Sequence, residues 1–170
     1  QQKFKTLSGE IYKSDVEKNE KLVLLNYKYD KKDLEFTKKV KIGLNTGLNV
    51  AYNFQNDEIL KKYNFATEFN LFFESLRYVK FHTEKGETDL KRKRKFIKIK
   101  SLKIADYFKK IYLKFSFNEA DVFIMPVYSF ANSQDGVEKV FQEASILFIK
   151  KDKGKVFDLG LKISKKENLL

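Results

Sequence analysis

Cysteine is absent, which excludes a disulfide framework, a thiolate zinc site and a cysteine nucleophile. Its absence leaves the compartment open, since exported bacterial proteins also do without disulfides. Tryptophan is absent too, and there is one proline, Pro126, and one histidine, His82. With a lone His and no Cys, a Ser-His-Asp triad or a His-ligated zinc site would have to run through His82 alone. That residue falls between Phe81 and Thr83 in an alternating segment, where an ordinary surface or half-buried imidazole is expected. None of the seven glycines belongs to a GxGxxG or phosphate-loop signature. Carboxylates are plentiful but fall in no calcium-loop spacing. Two facing carboxylates of the glycosidase kind leave no spacing to read, so that alternative stays open. The expectation is no metal, no cofactor and no catalysis.

No stretch approaches the ~18 consecutive apolar residues of a membrane-spanning helix. The chain begins at Gln1 rather than methionine, the form expected of a mature or trimmed chain whose targeting segment was removed earlier. Arginine is scarce: Arg77, Arg92 and Arg94 are the only three among 35 basic residues. Lysine supplies a solvated point charge, whereas arginine supplies the planar fork that reads phosphates and bases. The net charge of +12 therefore points to anionic partners in general, and sequence-specific nucleic acid is not expected. Tyr78, Phe81 and Phe96 neighbour basic residues, but they sit where core side chains belong rather than on an exposed stacking platform.

What is present in quantity is aromatic mass and alternation. Phe 17 and Tyr 9 make 15% of the chain aromatic, and 42% is hydrophobic, too rich for a disordered polymer. Val40, Ile42, Leu44, Thr46, Leu48, Val50, Tyr52 and Phe54 occupy successive even positions, with polar or small residues between them. Side chains of a strand alternate faces, so this run has one apolar and one wet face. It exceeds the usual strand of about 5–6 residues. Gly43 and Gly47 mark a bend, or a break into two strands near Asn45 to Gly47.

Residues 1–20 are polar and read as an arm or linker, with a short strand near Ile11-Tyr12. Residues 21–170 read as one domain. Leu22 to Tyr29 is a strand, Asp30 to Asp33 a turn, and Leu34 and Phe36 lead into the alternating run with Lys38 interrupting its phase. Asp57 can cap a short helix carrying Ile59, Leu60 and Tyr63. Phe65 to Phe81 supports two periodicities, with strand favoured from about Glu74 onward. Glu84 to Glu87 is a hairpin loop, with Phe96, Ile97 and Ile99 in the partner strand. Ile104, Tyr107, Phe108 and Ile111 behind Ser101 have helical spacing. Leu113 to Phe117 and Val122 to Phe130 alternate as strands, Pro126 placing the second at an edge or bulge. Val137 to Ala144 fits helix or strand, and Ile146 to Ile149 with Phe157 to Ile163 forms a C-terminal hairpin. The fold class expected is mostly β: an antiparallel sandwich or barrel of eight or nine strands with one to three short helices.

The sharpest local feature is Lys91-Arg92-Lys93-Arg94-Lys95, followed by Lys98 and Lys100. Adjacent like charges repel unless solvated or paired with an anion, so the run is a candidate polyanion site and is similar to a heparin-binding cluster. A strand from Phe96 would put Lys98 and Lys100 on the face of Phe96. Two alternatives use the β pattern itself. One is a small outer-membrane barrel, against which Lys38, Lys98, Lys100 and the end Lys165 to Leu170 break the lipid-facing phase. The other is a carrier holding a small apolar ligand inside an aromatic-lined barrel.

Abundant Lys, Asn, Phe and Ile with few Arg and Pro resembles the output of an AT-rich genome. A lysine-rich, cysteine-free chain of this kind resembles the mature part of surface lipoproteins from Borrelia-type spirochaetes. The resemblance implies a lipid-bearing cysteine upstream of Gln1, membrane contact only through that anchor, and a place on the outer surface or in the periplasm. It also implies a host protein or anionic polysaccharide such as a glycosaminoglycan as partner. It carries no site residues. Function, on this reading, is non-catalytic binding outside the cytoplasm through Lys91 to Lys95, Lys98 and Lys100.

Overall fold

The computed structural model describes residues 10–31, 34–43, 47–55, 60, 62–133 and 136–165. The even-phase run resolves into two strands, β3 (Leu34–Gly43) and β4 (Gly47–Phe54), paired antiparallel with Gly43 opposite Gly47. Val40, Val50, Tyr52 and Phe54 are buried, so the even phase is the core phase. Ile42, near the turn, is 46% exposed because the core ends before it. Lys38 breaks the phase without breaking the strand. Its ammonium lies 5.8 Å from the Tyr27 ring and 5.7 Å from that of Tyr52, where cation–π attraction offsets desolvation. Burial still holds its pKa below the ordinary lysine value.

The remaining strands are β1 (Lys13–Lys18), β2 (Leu22–Lys31), β5 (Ala66–Leu71), β6 (Val79–Thr83), β7 (Gly86–Thr88), β8 (Arg94–Asp106), β9 (Ile111–Ser133), β10 (Gly136–Lys150) and β11 (Val156–Ser164). All pair antiparallel in one sheet ordered β1-β2-β3-β4-β11-β9-β8-β6-β7, with β10 bridging β9 and β5. The long strand β9 organises this topology. One of its edges serves β11 along Tyr112 to Phe117 and then β10 from Ala120 onward. Two strands sharing one edge end to end let the sheet fold over itself into a sandwich. Phe69 of β5 and Phe148 of β10 meet Phe115 of β9 with ring centroids 5.5 and 5.3 Å apart, and Phe117 lies 4.9 Å from Phe148. At the other end Phe65 packs on Tyr52 and Phe54 at 4.7 and 4.9 Å. Aromatic rings therefore fill the space between layers, and the described strands close no barrel. The mostly-β antiparallel expectation holds. The barrel does not form, and with it goes the aromatic-lined interior that a carrier would need.

Several local expectations change. Residues 104–111 form no helix: Ile104 lies near the end of β8, which closes at Asp106, Ile111 begins β9, and residues 107–110 are a tight turn. The Asp106 carboxylate accepts from the N–H groups of Phe108 and Lys109, both at 3.0 Å, and Lys110 has φ of 54°. An aspartate folding the chain back on its own backbone mimics helical spacing across a turn. Glu74 to Tyr78 is not strand but leads into a 3-10 turn at Leu76–Tyr78. Val137 to Ala144 is strand, within β10. The C-terminal hairpin is not formed, since β10 pairs with β9 and β5 whereas β11 inserts between β4 and β9. The first partner of β6 is β7, and β8 lies on its other side. The strand near the N-terminus is Lys13–Lys18, while Tyr12 packs on Tyr29 at 5.4 Å. Leu60 and Lys62 are helical, and the proposed Asp57 cap and Ile59 lie outside the described residues. Pro126 sits where β9 has lost β8 and keeps only β10, a local edge as expected.

Candidate functional site

The basic run lies on the turn from β7 to β8 and on the first half of β8. Asp89 answers part of its charge: its carboxylate is 3.5 Å from the Lys91 ammonium and 3.9 Å from the Arg94 guanidinium. The Lys91 N–H, first, and the Lys91 charge hold the Asp89 carboxyl below its usual pKa. Lys95 stands 5.1 Å above the Phe123 ring. Arg92 and Lys93 are exposed with no ion pair among the described residues.

Lys98 and Lys100 do not share the face of Phe96. The register between β8 and β9 shifts on both sides of Ile99, and Lys98 has φ of 51°. This bulge sends Ile99, fully buried, inward after Phe96, and leaves Lys98 and Lys100 exposed. Their backbones are fixed by acids: Lys98 N–H donates to Asp121 Oδ1 at 3.1 Å and Lys100 N–H to Glu84 Oε1 at 2.7 Å. Asp121 is itself buried and lies 3.6 Å from the Lys151 ammonium. The seven predicted residues thus form a turn cluster, Lys91 to Lys95, and two outliers beyond a bulge.

A second feature has no counterpart in any local run. On the outer face of the sheet, opposite the core, Lys41, Asn49, Gly160, Ser116 and Ser101 stand side by side across β3, β4, β11, β9 and β8. Beside them Lys39, Ala51 and Asp158 form a neighbouring row. The small residues Ala51, Gly160 and Ser116 make a low floor, and the longer side chains around them enclose an open groove of about 590 Å³. A Cβ on Gly160 would stand 2.9 Å from Asn49 Oδ1, so the groove depends on that missing side chain. Asn118 Oδ1 accepts from the Asp158 N–H at 2.6 Å, which fixes the amide so that its NH₂ is the group left to donate. Amide, carboxylate, hydroxyl and ammonium groups border a largely apolar floor, a combination open to a ligand with both hydroxyl groups and apolar ring faces.

On the same face Lys162, Lys114 and Lys103 are direct neighbours on β11, β9 and β8, followed by His82 and Glu87 on β6 and β7. Glu87 pairs with Lys80 at 3.2 Å and with His82 Nδ1 at 3.4 Å. His82 Nε2 is enclosed without a hydrogen-bond partner in this structure. Sequence reading missed both the groove and this row. Their only sequence signal is the outward phase of each strand, which is silent about which strands become neighbours.

A family model described as alpha-amylase/4-alpha-glucanotransferase, C-terminal, matches residues 2–161 of 170. Among solved structures, the 4-alpha-glucanotransferase from Thermococcus litoralis superposes with a TM-score of 0.59 at 18% identity, a likeness of fold. The match covers 88% of this chain and 22% of that one, so the chain corresponds to about a fifth of that protein's length. Curated proteins gave no match. The family model spans nearly the whole sandwich, and the chain belongs to the alpha-amylase/4-alpha-glucanotransferase C-terminal family.

Proposed function

We propose that this chain is a non-catalytic, glucan-contacting module of an α-glucan-acting protein, and that contact is made in the groove over Ala51, Gly160 and Ser116. The groove carries this reading: Ala51, Gly160 and Ser116 line it together with Asn118, Asp158, Lys39 and Lys41, whose polar groups suit hydroxyl groups. Asp158 is its single carboxylate, whereas glycosidic bond cleavage employs two facing ones, so the surface is suited to holding a glucan rather than cutting it. A linear malto-oligosaccharide is the matching probe. Asp158→Ala and Asn118→Ala should each weaken its binding about fivefold, the worth of roughly one hydrogen bond. Calorimetric titration checks this, and unchanged affinity in both variants would remove the groove from consideration.

The turn cluster is a second contact surface, for an anionic polysaccharide or an acidic protein, favoured by Lys91 at 86% side-chain exposure and by the unpaired Arg92 and Lys93. Neutralising residues 91–95 should bring the protein off a heparin column at distinctly lower salt. Removing the same charge from scattered lysines should shift it less. Equal shifts would reduce the cluster to general basicity.

A further inference from the structure

We infer that the row Lys103, Lys114 and Lys162 seats a phosphate or sulfate ester carried on the glycan in the adjacent groove, an inference that rests on the groove reading above. Two lysines of the β8-β9 hairpin and one of β11 become cross-strand neighbours: Lys162 opposite Lys114, and Lys114 opposite Lys103. Like charges directly opposite on one face of a sheet are destabilising. Surfaces shaped only for solubility intersperse the two signs.

Among the described residues none of the three lysines makes an ion pair. Glu87 and Glu84 are already engaged, Glu87 with Lys80 and His82, and Glu84 with the Lys100 N–H and the Ser101 hydroxyl. The turn cluster, by contrast, has Asp89 inside it.

Position ties the row to the groove. Lys162, Lys114 and Lys103 each lie two residues from a member of the groove row, Gly160, Ser116 and Ser101 respectively, and so share its face. Two residues along a strand span about 6.7 Å, within reach of an ester on a sugar ring resting over Gly160. Three ammonium groups on flexible stems can converge on one oxyanion without the fixed planar geometry that arginine would impose.

The test is calorimetric titration of the full chain at low salt with maltoheptaose, with a phosphorylated maltoheptaose, and with inorganic phosphate. The phosphorylated glycan should bind about tenfold tighter than the neutral one. The variant Lys103→Gln, Lys114→Gln, Lys162→Gln should lose that advantage and keep neutral binding. A charge-matched control, Lys91→Gln, Arg92→Gln, Lys93→Gln, should keep the advantage. The exposed Lys162→Gln alone should lose part of it, which preserves the test if the triple variant folds poorly. Equal binding of the two glycans overturns the ester site and leaves the groove standing. Persistence of the advantage in the triple variant, or its equal loss in the control, also overturns it. Inorganic phosphate binding as tightly as the phosphorylated glycan would show that the anion need not be glycan-borne, and overturns the inference as stated. Binding of neither glycan removes the groove and the ester site together.

Discussion

Phe148→Ala should destabilise the fold by about 3–5 kcal/mol, the range for truncating a large aromatic in a packed core. Phe148 is fully buried on β10, and its ring is the common neighbour of Phe69, Phe115 and Phe117 at 6.0, 5.3 and 4.9 Å. These rings come from β5 and β9, so the side chain sits where the folded-over sheet meets itself. The void cannot be filled by a local shift, because β10 is held on one side by β9 and on the other by β5. Urea unfolding measures the loss. A loss below about 1 kcal/mol would mean that the layers are held together elsewhere.

Gly47→Ala should cost about 2–4 kcal/mol, through two separable causes. Gly47 has φ of 72°, a left-handed conformation that a Cβ disfavours. A Cβ there would also stand 2.2 Å from the carbonyl oxygen of Leu161 on the paired strand β11, and backbone cannot swing aside. Gly47→Asn separates the causes, since asparagine tolerates left-handed backbone but still carries the Cβ. It should recover only a small part of the loss. Gly160→Ala is the control: its added Cβ meets the end of the Asn49 side chain, which can move, and its effect should stay within about 1 kcal/mol. Full recovery in Gly47→Asn would show that conformation, not the clash, dominates.

These two positions mark how far the fold could be read from sequence. The alternation from Val40 to Phe54 showed strand and face, because period-two burial is a local signal, but left a bend and a break near Asn45 to Gly47 equally open. The aromatic core was legible for the same reason. What escaped was pairing at a distance. Phe157 to Ile163 looked like the partner of Ile146 to Ile149, the neighbour in sequence, yet β11 crosses to lie between β4 and β9. Residues 104–111 failed differently, since Asp106 builds a turn whose spacing copies a helical turn.

The site was less legible than the fold. Lys91 to Lys95 stood out because its charges are consecutive, but Asp89 offsets part of them and a bulge detaches Lys98 and Lys100. Lys103 and Lys114 face each other across the β8-β9 hairpin, but Lys162 is distant in sequence and joins them only through β11-β9 pairing. The groove is hidden in the same way, its floor being made by Ala51, Ser116 and Gly160 on three strands. Lysine-rich composition, which underlies the resemblance to spirochaete lipoproteins, carries no motif that could be matched residue by residue. Family membership rests instead on a match along residues 2–161.

The central claim, that the outer-face groove holds glucan, is tested most directly by titrating maltoheptaose into the wild-type chain and into Gly160→Val. Valine suits a strand, and its Cβ is crowded only at the Asn49 side-chain oxygen, with the Ser116 carbonyl oxygen at an ordinary 3.8 Å. The variant should therefore melt like the wild type while its side chain fills the floor of the groove. The account predicts measurable binding by the wild type and at least about a tenfold loss in the variant. Equal binding by both proteins, or none by the wild type, would contradict it.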